Sequence, residues 1–245
     1  MTSYTKTLVL YQPQNGYCYN SDTHFLYNFI AKNFEKYKNI QGDILDIGSG
    51  SGILGLLVAR DYQKLNLHQC EIQEPFQLLS QKNAQNNKIE ATLYKNNFLE
   101  HQFDKTFDYI ISNPPFYHSD VIKSDNKNIK IARYNDSMPL EQFIGKISSI
   151  IKPKGHLFFC YDVKQLPAIT TLLAKNKFNL ESLQFLHPNG KKDASLVMVG
   201  ARKSSKSLLR VIPPIIMFNN DGSFTDEVNK IYKTCNTHSI KCDIL

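Results

Sequence analysis

A chain of 245 residues with 42% hydrophobic side chains carries enough apolar material for one α/β domain. Its apolar runs, beginning with Leu8-Val9-Leu10, are too short for a signal peptide or a membrane span, and the five cysteines are odd in number and widely spaced, against a disulfide framework or a zinc site. The formal net charge of +7 favours a polyanionic partner, and the seven histidines lack metal-ligand pairing, so a reduced, cytosolic protein without a metal is expected.

In chain order, Asp22 to Phe34 reads as an amphipathic helix capped by Ser21 or Asp22. Strands follow near 43–47, 67–72, 90–94 and 107–112. Pro139 starts a helix through Ile151, Lys152-Pro153-Lys154-Gly155 turns the chain, and His156 to Tyr161 forms a fifth strand. A helix near 164–176 precedes strands at about 180–187 and 195–202. Such alternation is that of a doubly wound α/β sheet. No Pro/Gly/Ser-rich linker divides the chain, so 1–245 is expected to be one domain: an N-terminal loop and helix to residue 40, a catalytic core over 41–203, and a C-terminal extension over 204–245. The polar segment Tyr117 to Asp136 has the length of a functional loop and is expected to be an active-site lid.

The first strand runs through Asp46 into Gly48-Ser49-Gly50-Ser51-Gly52 and then into a helical pattern. Alternating glycines let backbone approach a ligand closely, and the first amides of the helix can hold a carboxylate or ribose oxygens. The spacing is G-x-G-x-G, not the G-x-G-x-x-G of dinucleotide binders. About 20 residues on, where a doubly wound fold places a carboxylate for ribose hydroxyls, stands Glu71. Glu74 competes for that role but sits beside Pro75 at a helix start, where the dipole alone favours an acid. Asn97, after the third strand, can offer an amide to an adenine ring.

Asn113-Pro114-Pro115-Phe116 follows the fourth strand. The strand delivers a side-chain amide to the sheet edge, and two prolines remove backbone donors while leaving carbonyls to accept from an outside NH₂ group. Phe116 offers a ring face to a flat base, with Tyr117 beside it. The arrangement suits methylation of a planar nitrogen. Arg133, Lys191 and Lys192, with Arg202, Lys203, Lys206 and Arg210, are candidates for phosphate contact.

Leu45-Asp46-Ile47-Gly48-Ser49-Gly50-Ser51-Gly52, Glu71, Asn97 and Asn113-Pro114-Pro115-Phe116 resemble, in order and spacing, the motifs of class I S-adenosylmethionine-dependent methyltransferases. Tyr11 to Asp22, Ile131-Ala132-Arg133-Tyr134 and the tail from Arg210 are similar, more narrowly, to bacterial tRNA adenine-N6 methyltransferases acting beside the anticodon of a valine tRNA. Cys18 departs from the arginine often found there. The resemblance implies a Rossmann-like, seven-stranded, mostly parallel sheet with its last strand antiparallel beside the fifth. It further implies S-adenosylmethionine as cofactor, held by Asp46, Gly48, Gly50, Gly52, Glu71, Asn97, Asn113 and Asp22, and tRNA as substrate. The same turn serves guanine N2 in rRNA, cytosine N4 in DNA and protein glutamine, and an inactive RNA-binding module shares the fold.

Overall fold

The structure, a computed structural model, describes residues 6–14, 18–114 and 138–243. Strand β1 (Leu8–Pro13) leads into α1 (Ser21–Phe34), followed by β2 (Gly42–Ile47), α2 (Ile53–Asp61), β3 (Leu65–Cys70), α3 (Glu74–Asn87) and β4 (Ala91–Tyr94). Next come β5 (Phe107–Ser112), α4 (Leu140–Ile150), β6 (Ile151–Asp162) and α5 (Leu166–Lys175). Strands β7 (Phe178–Asn189), β8 (Leu196–Lys203) and β9 (Arg210–Phe218) complete the main sheet, after which α6 (Asp226–Cys235) and β10 (Thr237–Cys242) return to β1.

Eight strands lie in the order β4-β3-β2-β5-β6-β8-β7-β9. The first five of these run parallel, and β8 is antiparallel to both β6 and β7. That is the doubly wound class I arrangement. Strand β9, parallel to β7, is one more than the seven expected. Its Pro213-Pro214 pair reads against a strand, yet prolines are tolerated on an edge, where the missing N–H would face solvent. The register of β9 slips between Gln184↔Ile212 and Leu186↔Ile215, and the Gln184 amide donates to the Pro213 carbonyl at 2.8 Å across the slip.

The fifth strand begins earlier than its sequence indicates. Register jumps from Phe107↔Ile151 to Tyr109↔His156, so the expected turn at 152–155 is a bulge inside β6, with Lys154 left-handed at φ 63°. Helix α1 is capped at Asn20 rather than Ser21 or Asp22, and the Asn20 amide donates to Asp22 at 2.6 Å instead of closing the helix. Most of α1 is buried, including Phe25, Phe29, Ile30 and Phe34, because it is wedged between the sheet and α6. Phe34 meets Tyr109 and Phe158 edge-on at 5.1 and 5.7 Å. Among the described residues no helix is long and apolar enough to cross a membrane.

Candidate active site

The chain leaves β2 for β3 on one side of the sheet and later returns to place β5 on the other, making the carboxyl ends of β2 and β5 the topological switch point. The glycine loop opens there. Gly48 and Gly50 have φ of +64° and +54°, and a Cβ on either would meet nothing within 4 Å, so both border open space. Gly52 differs: its Cβ would meet Gln69 Nε2 at 2.8 Å and Ser80 Oγ at 3.1 Å, and its amide donates to the Ser49 carbonyl at 2.8 Å. Gly52 therefore closes α2 against β3.

Two buried carboxylates shape this loop. Asp46 Oδ2 accepts from the Gly55 amide at 2.9 Å in the first turn of α2. Burial, opposed by that bond and reinforced by the charge of Glu71, pushes the Asp46 carboxyl up to about 7. Glu71 accepts from the Gly50 amide at 2.8 Å through one oxygen and from the Gln73 amide at 2.8 Å through the other. Burial raises its pKa as well. Glu74 sits exposed at the first turn of α3, so Glu71 is the acid that meets the loop. Asn97 is spent locally, accepting from the Leu99 amide and donating to Glu100, both at 3.0 Å.

Ser112 Oγ donates to the Ile47 carbonyl at 2.8 Å, holding the end of β5 against β2. Asn113 then projects between α1 and β6. Its Nδ2 donates to Thr23 Oγ1 at 3.1 Å, and its Oδ1 accepts from the Cys160 thiol at 2.9 Å. Burial holds that thiol well above its ordinary pKa, with the charge of Asp22 adding, so it stays a donor. Asp22, itself pushed up to about 6 by burial, takes the Asn20 amide at 2.6 Å. Tyr19, Thr23, Asp46, Gly48, Phe76 and Asn113 are among the residues lining a cleft at these strand ends. Pro114 is buried directly after Asn113. Pro115, Phe116, Tyr117 and Arg133, like the expected lid, lie outside the described residues.

Lys191 and Lys192 are exposed in the loop joining β7 to β8. The strand directions put this loop at the sheet end that carries Asn113, three strands across, or about 14 Å at 4.8 Å per strand. Arg202, Lys203, Lys206 and Arg210 lie on the far side, toward the opposite strand ends.

The cleft fits S-adenosylmethionine. Ser49 Oγ lines it, buried and without a hydrogen-bond partner among the described residues, and the loop has no side chain at Gly48 or Gly50, where a ligand can lie against backbone. Ile72, next to Glu71, is 49% exposed, an apolar surface at the strand end where a base can rest. Sequence reading missed Ile72, Thr23 and Cys160, because an apolar side chain or a cysteine in a strand carries no signal apart from the core. A wider depression touching Lys6, Asp43, Arg60, His68 and Lys105 lies at the other end of the strands.

Residues 22–179 match the family profile described as Methyltransferase small domain. The chain is 28% identical over 183 residues to the tRNA1(Val) (adenine(37)-N6)-methyltransferase of Dyadobacter fermentans, covering 73% of this chain and 75% of that protein. The protein of the same name from Pedobacter heparinus is 28% identical over 137 residues, with 55% of this chain and 58% of that protein covered. A release factor glutamine methyltransferase of Flavobacterium psychrophilum is 25% identical, covering 71% of this chain and 65% of that protein. Among solved structures, a predicted O-methyltransferase from Agrobacterium tumefaciens superposes with a TM-score of 0.66 at 18% identity, covering 90% and 99% of the two chains. The 16S rRNA N2 G1207 methyltransferase of T. thermophilus, solved with AdoMet and guanosine, has a TM-score of 0.55 at 20% identity, covering 78% and 44%. The chain belongs to the methyltransferase small domain family and has the class I methyltransferase fold.

Proposed function

We propose that this chain methylates the exocyclic N6 of an adenine in the anticodon loop of a tRNA. The observation carrying this reading is the Asn113 amide at the switch point, fixed by Thr23 and Cys160 and bordering the cofactor cleft. The relatives named for a tRNA adenine support it.

S-adenosylmethionine supplies an electrophilic methyl group, and the chain's own residues prepare the acceptor. An adenine amine has its lone pair delocalised into the ring, so the site must favour a more tetrahedral nitrogen. A carbonyl oxygen has two lone pairs. Asn113 Oδ1 therefore keeps one for the amine while the Cys160 thiol uses the other, and the Pro114 carbonyl is the second acceptor. Both bonds strengthen as positive charge develops on nitrogen. No strong base is needed, because the methylated amine is acidic enough to release its proton to water. Phe116 stacks on the unpaired base, with Tyr117 beside it. Asp46, Gly48, Gly50 and Glu71 hold the cofactor, and Lys191, Lys192 and Arg133 take phosphates.

Transfer of labelled methyl to tRNA, followed by digestion, tests this reading. N6-methyladenosine is the expected product. Asn113→Ala is expected to lower turnover roughly 100-fold or more while cofactor affinity holds. Label in release-factor glutamine or as N2-methylguanosine in rRNA, the runner-up substrates favoured by two of the similar proteins, would overturn the substrate.

A further inference from the structure

A tRNA is much larger than the cleft, and among the described residues the uncompensated positive charge is not at the catalytic end. There, the exposed Lys164, Lys191 and Lys192 share their loops with Asp162 and Asp193. Toward the opposite end, below β6, β8, β7 and β9, lie Lys36, Lys154, Lys177, Arg202, Lys206 and Arg210. Among the described residues none of these six makes an ion pair. Two of the acids nearby are paired elsewhere, Asp108 with Lys152 at 2.7 Å and Glu141 with Lys175 at 2.8 Å, while Glu181 takes the Ser205 hydroxyl and offsets part of the Lys36 charge. Glu35 alone stands exposed beside Lys36 without such a partner among the described residues. Beneath β2 and β3 the same end is balanced, with Asp43 taking Lys105 at 3.1 Å and Asp61 taking Arg60 at 2.7 Å. The excess is therefore local.

Several contacts gather these cations. Tyr37 packs edge-on to His156 at 5.2 Å, bringing the end of α1 to the start of β6. Arg202 Nε donates to the Lys154 carbonyl at 2.9 Å, and the Ser204 amide donates to the Lys177 carbonyl at 2.8 Å. Burial first, then the charge of Arg210, depress the Lys36 pKa, opposed by Glu181.

Two of these cations sit at special backbone positions. Lys154, Lys177 and Ser204 are left-handed, at φ 63°, 59° and 52°. A side-chain-bearing residue held there costs about 1–2 kcal/mol that glycine avoids. Both lysines are exposed, but Lys177 follows the end of α5 just as Lys88, also left-handed and exposed, ends α3, so of the two only Lys154, in the β6 bulge, takes this conformation away from a helix end.

We infer that this basic end is a second RNA-binding surface, holding substrate backbone about 20–30 Å from the reacting base: a six-residue strand spans about 20 Å, and β9 lies four strands across from β5 at about 4.8 Å per strand. The inference rests on the RNA reading above. A stem lying along the outer edge of β9, whose nine residues span about 30 Å, connects the two ends. Leu208, Leu209 and Val211, 92%, 46% and 58% exposed, flank Arg210 in the loop before β9 and at its first residues. They do not form the continuous apolar helix face that interfacial membrane binding uses, which favours a polynucleotide over anionic lipid.

The test compares full-length protein with Lys154→Gly/Lys177→Gly, Lys206→Gln/Arg210→Gln and all four changes together. Binding of purified tRNA is followed by anisotropy, without turnover, from about 50 to 200 mM salt. The fourfold variant is expected to bind roughly tenfold or more weakly, with a salt slope shallower by about 2–4, one per lost phosphate contact. Its S-adenosylmethionine affinity is expected to match wild type. The glycine pair is expected to weaken tRNA binding at an undiminished thermal midpoint, a combination that mere loss of structure does not produce. Wild-type tRNA affinity and slope in the fourfold variant would overturn the surface, as would binding to phosphatidylserine vesicles with none to tRNA. If the variants lose tRNA binding but label still goes only to protein glutamine, the surface stands and the substrate reading falls.

Discussion

Asp46 is enclosed by protein yet must ionise near neutral pH, its carboxyl raised from 3.8 to about 7 by burial. The folded chain therefore keeps this proton up to about pH 7 while the unfolded chain releases it near 3.8, so stability from this group is lost as pH rises through that window. Asp46→Asn keeps an acceptor for the Gly55 amide and removes the charge. Its thermal midpoint relative to wild type is expected to rise from pH 4 to pH 7 and level off above. His24 and His156, lowered to about 4 by burial, titrate with the opposite sign, but they are common to both proteins and cancel in the comparison. A difference independent of pH would show that Asp46 is not ionising where its burial dictates.

Strand β1 is held on α3 by side chains acting as a substitute strand. Val9 donates to Asn87 Oδ1 at 3.0 Å and accepts from Asn87 Nδ2 at 2.7 Å, and Tyr11 exchanges the same pair with Asn83 at 2.6 and 3.1 Å. The four-residue spacing of a helix face presents the two amides to alternate residues of the strand. Asn83 Nδ2 also donates to the Ser51 carbonyl at 2.8 Å, and Gln12 Nε2 donates to Ser51 Oγ at 2.6 Å, so β1 steadies the cofactor loop. Asn83→Ala is expected to destabilise the fold by about 1–3 kcal/mol and to weaken cofactor binding. Hydrogen exchange reads the cause directly: the Tyr11 amide is expected to exchange faster, while β5 stays protected. Equal protection at Tyr11 would refute the clamp.

At the scale of the whole molecule, the ends of the chain close on each other. β10 pairs in parallel with β1, joining Leu8 to Thr237. Arg60, on α2, gathers the elements behind that closure: it pairs with Asp61 at 2.7 Å, donates to the Cys235 carbonyl at the end of α6 at 2.6 Å, and reaches the Lys6 carbonyl at 3.3 Å. Asp61 also takes the Tyr27 hydroxyl of α1. Arg60→Met keeps the apolar stem but leaves a half-buried carboxylate without its cation and frees the Cys235 carbonyl, an expected loss of about 3 kcal/mol. Calorimetry should then record a midpoint lower by roughly 6–12 °C for a chain of this size. A shift under 2 °C would mean that the ends are held by β-pairing alone.

The parallel core was legible in the sequence because local pattern and global burial agree there. Short apolar strands such as Phe107–Ser112 are read as strands wherever they sit, and glycines that need positive φ announce the loop after Asp46. Asn113 stood out for the same reason, since its neighbours on the chain are its chemical context. Strand β9 was hidden by Pro213 and Pro214, which only an edge position permits, and the bulge at Lys154 was hidden by looking like a turn. The sequence by itself could determine what lies adjacent along the chain. Only the tertiary structure decided that Cys160 and Thr23, respectively 47 residues after and 90 before Asn113, hold its amide, and that Lys191 and Arg202 face opposite ends of the sheet, because strand direction and order fix those distances.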